Sequence, residues 1–320
     1  MSDEQLEFGI IGLGKMGDGV ALQALRKGMR VLGSDIKRMP QELLDAGIVV
    51  VSDYRQFREK LSRARIIFLY VPAGKIVDTV IDELVPYLDQ GDIIIDGGNS
   101  YWGDSIHRHQ RLREIGIHLI DLGTSGGIKG AYHGACFMAG GDRHAVRQVE
   151  GILLNLAVQG GYVYAGASGA GHFTKLVHNG IEFGMLQAIA EGVELLENYK
   201  DKLDVAEVLR CWRHGSVIRS WLIDLMEEAY RTEGGLDKVP AYVEDTGEVN
   251  WLIADALRME IPIPAISLAV MQLLISRDKK EYWARAIAMM RQKFGGHTYG
   301  ASEPISRERR EGQVSGTYHG

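Results

Sequence analysis

Four polar residues share one helical spacing in the segment His172-Phe-Thr-Lys175-Leu-Val-His178-Asn179-Gly-Ile-Glu182. Lys175, His178, Asn179 and Glu182 stand at i, i+3, i+4 and i+7, which puts them on one face of one helix. The remaining positions are mostly apolar or Gly, so the face reads as a polar strip on an otherwise buried helix. A lysine in such a strip loses its proton more readily and can act as a base. A glutamate there can hold its proton and act as an acid. A solvated stripe is the plainer reading of the same spacing.

Three further constellations are glycine-rich. Asp96-Gly97-Gly98-Asn99-Ser100 follows the apolar run Asp92-Ile-Ile-Ile-Asp, and Thr124-Ser125-Gly126-Gly127 follows His118-Leu-Ile-Asp-Leu. Glycines at strand ends admit close approach of a ligand, while Asn and Ser supply neutral hydrogen bonds. The third is Gly12-Leu13-Gly14-Lys15-Met16-Gly17, a G-x-G-x-x-G that follows a strand signal and opens a helix, with Asp35 at the end of the next strand. That context makes it a dinucleotide-binding fingerprint. Gly12 permits the tight turn, Gly14 lets a pyrophosphate approach backbone N–H groups, and Gly17 lets helix and strand pack closely. Asp35 suits the two ribose hydroxyls of NAD and repels a 2′-phosphate; the nearby Lys37 and Arg38 keep NADP as the second possibility.

The elements that must position these residues follow from periodicity. Phe8-Gly-Ile-Ile, Arg30 to Ser34, Ile66 to Val71, Asp92 to Asp96 and His118 to Leu122 read as strands, alternating with amphipathic stretches such as 17–27 and 76–88. This predicts an α/β unit, a Rossmann-like doubly wound parallel sheet covered on both faces. Phe137-Met-Ala-Gly-Gly and Tyr162-Val-Tyr add one or two strands. From Gly171 the periodicity is helical: 172–199, 205–213, 217–231, 249–258, 265–276 and 282–293. The expected organisation is a dinucleotide-binding domain over 1–170, an all-helical substrate and dimerisation domain over 171–297, and a polar tail over 298–320.

Composition is that of a globular chain: 320 residues, 46% apolar, 24% charged, with 40 glycines. A net charge of −6 argues against non-specific nucleic-acid binding. Two cysteines, Cys136 and Cys211, are too few for a zinc cage or a disulfide framework and are expected as buried free thiols in a reducing cytoplasm. The N-terminus lacks a basic-then-apolar run. The longest apolar run, 261–275, is short for a bilayer and carries Pro262 and Pro264. No membrane partner is expected.

These segments together resemble the 6-phosphogluconate dehydrogenases, decarboxylating, of the shorter bacterial type. The resemblance runs from Gly9 to about Tyr299. It is carried by the motifs at 12–17, 95–100 and 124–127, by Gly-Ala-Gly-His-Phe-Thr-Lys-Leu-Val-His-Asn-Gly-Ile-Glu at 169–182, by Ile218-Arg219-Ser220, and by Arg291-Gln-Lys-Phe-Gly-Gly-His297. It implies that Lys175 is the general base at the carbon 3 hydroxyl of 6-phosphogluconate and Glu182 the acid that protonates carbon 1 of the enediol left after decarboxylation. It implies that Asn99, Ser125, Gly126, Gly127, His178 and Asn179 bind substrate, with Arg219, Arg291 and His297 on its phosphate. Cofactor contacts extend to Leu13, Lys15, Met16, Val71, Pro72, Ala73 and Asn99. No metal is implied, because the lysine ammonium performs the polarisation. A homodimer or homotetramer is implied, in which the tail of one copy completes its neighbour's site.

Some positions depart from the longer members of that family. Ile128 and Lys129 replace an acidic pair, Phe183 replaces a tyrosine, and Thr246 and Glu248 replace a lysine and a threonine before Trp251. Asp35 and Ile36 replace an asparagine–arginine pair for NADP, which supports NAD. Two alternatives share many of these features: a β-hydroxyacid dehydrogenase acting on a small non-phosphorylated acid, and a non-catalytic NAD(H)-binding regulator. The first is not expected to share Glu182 or the segment from Arg291 to His297, and the second has no reason to keep both Lys175 and Glu182.

Overall fold

The computed structural model describes residues 5–295 and 298–304. In chain order the elements are β1 (Glu7–Ile11), α1 (Lys15–Arg26), β2 (Arg30–Ser34), α2 (Gln41–Asp45), β3 (Val49–Val50), α3 (Arg55–Lys60), β4 (Ile66–Leu69), α4 (Lys75–Leu84), β5 (Ile93–Asp96), α5 (Trp102–Glu114), β6 (His118–Ser125), α6 (Gly127–His133), β7 (Ala135–Gly140), α7 (Arg143–Leu156) and β8 (Ala157–Gly166). They continue as α8 (Ala170–Glu197), α9 (Val205–Trp212), α10 (Trp221–Glu233), α11 (Glu248–Arg258), α12 (Pro264–Arg277) and α13 (Tyr282–Gly295).

The strands form one sheet of eight in the order β3-β2-β1-β4-β5-β6-β7-β8. Neighbours from β3 through β6 run parallel; β7 is antiparallel to β6, and β8 is parallel to β7. The sheet is therefore doubly wound as expected, but not parallel throughout. The reversal has a local cause: the short helix α6 returns the chain beside β6, too little crossover for a parallel pairing.

Both sheet faces are buried, and the strands show it by period two. Phe8, Ile10, Phe68, Ile93, Ile95, Ile120 and Leu122 pack with Val20, Ala21 and Ala24 of α1 and Val146, Val149 and Leu153 of α7. Ile11, Ile67, Leu69, Ile94 and Leu119 point the other way, onto Phe57, Val77, Ile81, Leu84 and Leu112. Each such large side chain, fully buried, contributes about 1.5–3 kcal/mol against leaving it in water. The order of the strands reverses between β1 and β4, and the loops after these strands flank that switch point.

The chain divides into two compact units. The first runs through Ile181 and also takes Gly247–Ile261; the second holds Glu182–Thr246 and the chain from Pro262. The division expected at 170/171 thus falls inside α8, and α11 belongs with the sheet. The first turns of α8 lie tight on the sheet: a Cβ on Gly171 would stand 2.2 Å from the Asp121 carbonyl oxygen and 2.5 Å from that of Met138. In the second unit, Val193, Val205, Leu209 and Ile223 form a small core. Asp204 and Ser220 cap α9 and α10 by accepting the Glu207 and Ile223 N–H groups, so α10 starts later than the expected 217.

Two expectations fail on burial. Cys136 and Cys211 are both exposed. Cys136 alternates outward between buried Ala135 and Phe137, and Cys211 lies off the stripe that Val205 and Leu209 bury. Nor is α8 buried on most of its faces in the single chain: Val193 is in the core, but Ile181, Met185, Leu186 and Leu195 are exposed. Among the described residues, no helix is long and apolar enough to cross a membrane.

Candidate active site

The glycine loop between β1 and α1 shows a separate constraint at each glycine. Gly12 has φ +92°, and a Cβ there would lie 2.4 Å from the Tyr70 carbonyl oxygen. A Cβ on Gly17 would lie 2.0 Å from the Gly12 carbonyl oxygen. A Cβ on Gly14 would meet nothing within 4 Å, and φ there is not positive. Protein packing therefore explains two of these glycines, and the third faces open space where a ligand can approach. Asp35 sits at the mouth of the same loop, its carboxylate accepting the Leu13 N–H at 2.6 Å and the Lys37 N–H at 2.7 Å. Ile36, Lys37 and Arg38 beyond it are exposed. Lys15 is exposed and Met16 half-buried; Val71, Pro72 and Ala73 follow β4 at the adjoining strand end. An open glycine, a fixed carboxylate and a helix N-terminus fit a dinucleotide.

The second group of residues is held by α8. Asp121 of β6, wholly buried, accepts the Gly169 N–H at 2.8 Å and the His172 N–H at 2.9 Å, satisfying donors at the start of the helix. Burial pushes the Asp121 carboxyl up from its ordinary value, against the pull of His172 and the backbone donors. A Cβ on Gly123 would meet the Lys175 Cβ at 2.6 Å, so only glycine there lets the lysine stem lie on the strand. His172 ties three elements together: its Nδ1 lies 2.7 Å from Ser105 Oγ and its Nε2 3.1 Å from the Asp96 carbonyl oxygen. Because a carbonyl only accepts, Nε2 carries a proton.

Lys175, His178 and Asn179 form a polar array with Ser125. Ser125 Oγ lies 2.9 Å from His178 Nε2; His178 Nδ1 lies 3.5 Å from Lys175 Nζ and 3.3 Å from Asn179 Oδ1. An ammonium on Lys175 donates to Nδ1, and a neutral amine can accept from it, so the contact serves either protonation state. Tyr70 lies beneath the array, its ring against Gly97 and its hydroxyl 3.2 Å from Thr124 Oγ1; burial pushes that phenol up to about 12. Asp96, also wholly buried, accepts from Ser100 Oγ at 2.7 Å and from the Gly98 N–H at 3.2 Å, fixing the loop that carries Asn99.

A small pocket opens here, with a cavity volume of about 10 Å³, lined by Asn99, Ser100, His172, Lys175, Asn179, Glu248 and Trp251, among others. The structure thus joins Asn99, Lys175 and Asn179, with Ser125 and His178 bonded behind them. Gly126, with φ +113°, and Gly127 follow Ser125 and open α6. Glu182 is half-buried two turns further along α8, where the second unit begins. Arg219, in the turn before α10, and Arg291, on α13, are exposed and belong to that second unit. His297 lies outside the described residues. Sequence reasoning missed His172, Glu248 and Trp251 as pocket walls. His172 stood inside a quoted motif, whereas Glu248 and Trp251 carry no local signal that would seat them beside residue 99.

Comparison with known proteins gives this geometry a family. Residues 7–166 match the NAD binding domain of 6-phosphogluconate dehydrogenase, and residues 171–286 and 197–312 match the 6-phosphogluconate dehydrogenase C-terminal domain. The Bacillus subtilis protein YqeC, whose name places it among the 6-phosphogluconate dehydrogenases, is 42% identical over 91% of this chain and 98% of its own. An NAD(+)-dependent, decarboxylating 6-phosphogluconate dehydrogenase of Haloferax volcanii is 36% identical with the same shares covered. The solved 6-phosphogluconate dehydrogenase of Plasmodium falciparum, studied with NADP+ and with 6-phosphogluconate, matches with a TM-score of 0.77 at 26% identity, over 93% of this chain and 66% of that one. A doubly wound sheet with a fixed glycine loop, a lysine array at its edge and these relatives over nearly the whole length lead to one conclusion: the chain belongs to the 6-phosphogluconate dehydrogenase family.

Proposed function

We propose that the protein catalyses the oxidative decarboxylation of 6-phospho-D-gluconate to ribulose 5-phosphate and carbon dioxide, with NAD as the favoured acceptor and NADP as the lesser one. The observation that carries this reading is the lysine array. Lys175 is seated on Gly123 at the end of β6 and bonded to His178, in a pocket walled by Asn99 and Asn179.

In this reading Gly14 and its loop hold the pyrophosphate, and Asp35 takes the ribose hydroxyls. NAD, when bound, would supply the acceptor for the hydride of carbon 3. Lys175 removes the proton from the carbon 3 hydroxyl, and the ketone formed takes up the electron pair of the breaking bond to the carboxylate. Lys175, now an ammonium, returns its proton to that oxygen as carbon dioxide leaves and the enediol forms. Glu182 gives a proton to carbon 1 of the enediol, the former carbon 2, while Lys175 takes back the proton of the enediol oxygen and the ketone of ribulose 5-phosphate forms. His178 stays bonded to the lysine through both protonation states and is oriented by Ser125. Asn99, Ser125, Gly126, Gly127 and Asn179 bind the sugar acid, and Arg219, Arg291 and His297 are assigned to its phosphate because cations suit it.

The assembly and the place of action belong to the same proposal. Apolar residues of α12 and α13, among them Leu268, Met271, Trp283 and Met289, are exposed in the single chain, which supports a homodimer or homotetramer. Within it the tail of one copy, with Arg291 and His297, completes the neighbour's site. Two cysteines outside any disulfide support a cytoplasmic enzyme. The test is the initial rate of NADH formation with 6-phosphogluconate, beside NADP and beside unphosphorylated gluconate, with carbon dioxide measured in parallel. Reduction with matching carbon dioxide, NAD faster and gluconate nearly inert, is the expected result. Oxidation of a small hydroxy acid with none of 6-phosphogluconate would overturn the assignment.

A further inference from the structure

The geometry points to Glu248 as a specificity-determining residue that accepts a hydroxyl hydrogen of the substrate's carbon chain and keeps anionic groups away from its end of the lysine pocket. This rests on the function proposed above. Glu248 opens α11, lines the same pocket as Lys175 and Asn179, and accepts the Asn99 amide N–H through Oε1 at 3.1 Å. The helix that presents it is anchored into the first unit at three points. Asp255, 3% exposed, accepts from Tyr101 Oη at 3.1 Å and from Trp102 Nε1 at 2.7 Å, and the Trp251 ring meets that of Tyr101 edge-on at 5.7 Å. Glu248 is therefore fixed as a wall of the pocket.

The chemistry of a carboxylate decides what it can read. It accepts hydrogen bonds and donates none. The two ends of 6-phosphogluconate, a carboxylate and a phosphate, are acceptors as well, so neither pairs with Glu248 and both are repelled by it. The hydroxyls between the ends are donors. Lys175 claims the one on carbon 3, which leaves those on carbons 2, 4 and 5. A short hydroxy acid whose sole hydroxyl meets the lysine has nothing left to offer. Glu248 thus reads a polyhydroxylated chain.

Two variants, Glu248→Gln and Glu248→Thr, test this by steady-state kinetics on 6-phosphogluconate and on analogues lacking the hydroxyl of carbon 2, 4 or 5, with NADH affinity measured alongside. The expected result for both variants is a KM for 6-phosphogluconate raised about tenfold, as for loss of a charge-assisted hydrogen bond, with kcat within about threefold and NADH affinity unchanged. One deoxy analogue should bind the wild type about tenfold more weakly and lose nothing further in Glu248→Gln, which is the mark of a direct contact. A KM for 6-phosphogluconate that stays the same or falls in either variant would overturn the inference. Failure of the wild type to turn over 6-phosphogluconate would instead sink the function itself, so the two failures are told apart.

Discussion

At the scale of the residue, the base and its support are separable. Lys175 can be changed without touching the glycine loop or Asp35, so Lys175→Met is expected to lower kcat by about a hundredfold to ten-thousandfold while NADH still binds, as read by stopped-flow rates and fluorescence titration. Activity close to wild type would remove Lys175 from the role of base. The polar strip that named this residue was legible because a helix repeats its faces within a few positions. Glu248 and Trp251 were not legible as pocket residues. Their partners lie about a hundred and fifty positions upstream, and no local period records a contact of that range. The departure at Glu248 was visible as a substitution, but its meaning needed the bond to Asn99.

At the scale of the element, the sheet and its helices followed the alternation of apolar runs closely, because strands buried on both faces advertise themselves. What escaped was set by small local events: the two-residue β3, the return of β7 beside β6, and the cap at Ser220 that delays α10. The seat of α8 is the element on which the site depends. Gly171→Ala would press a methyl group onto two backbone carbonyls and should destabilise the fold by about 1–3 kcal/mol, lowering the midpoint of thermal unfolding. Gly151→Ala, on α7 where a Cβ meets nothing, should raise it, by up to about 1 kcal/mol. Equal effects at the two positions would mean that the close approach of α8 to the sheet is not what Gly171 serves.

At the scale of the whole molecule, the proposed sharing of sites between copies has a direct test. Chains carrying Lys175→Met and chains carrying Arg291→Ala should each be nearly inactive alone. Unfolded together and refolded as mixed oligomers, they should recover part of the wild-type activity, since some sites then draw an intact lysine from one copy and an intact arginine from the other. No recovery, with mixed oligomers verified by mass, would confine each site to a single chain. The apolar character of α12 was visible in the sequence as a run, but one chain alone does not say what covers it. The same limit explains the misjudged burial of α8, whose apolar faces were read as interior and stand exposed in the single copy.

The place of α11 also has a consequence in time. The sheet and the glycine loop are complete in the chain by the end of β8, whereas a wall of the substrate pocket waits for the helix Glu248–Arg258. A polypeptide emerging from the ribosome folds from its N-terminal end forward. On the proposed function, the growing chain gains its dinucleotide site well before its sugar-acid site, and its capacity for oxidation is withheld until synthesis has passed the helix that lines the pocket.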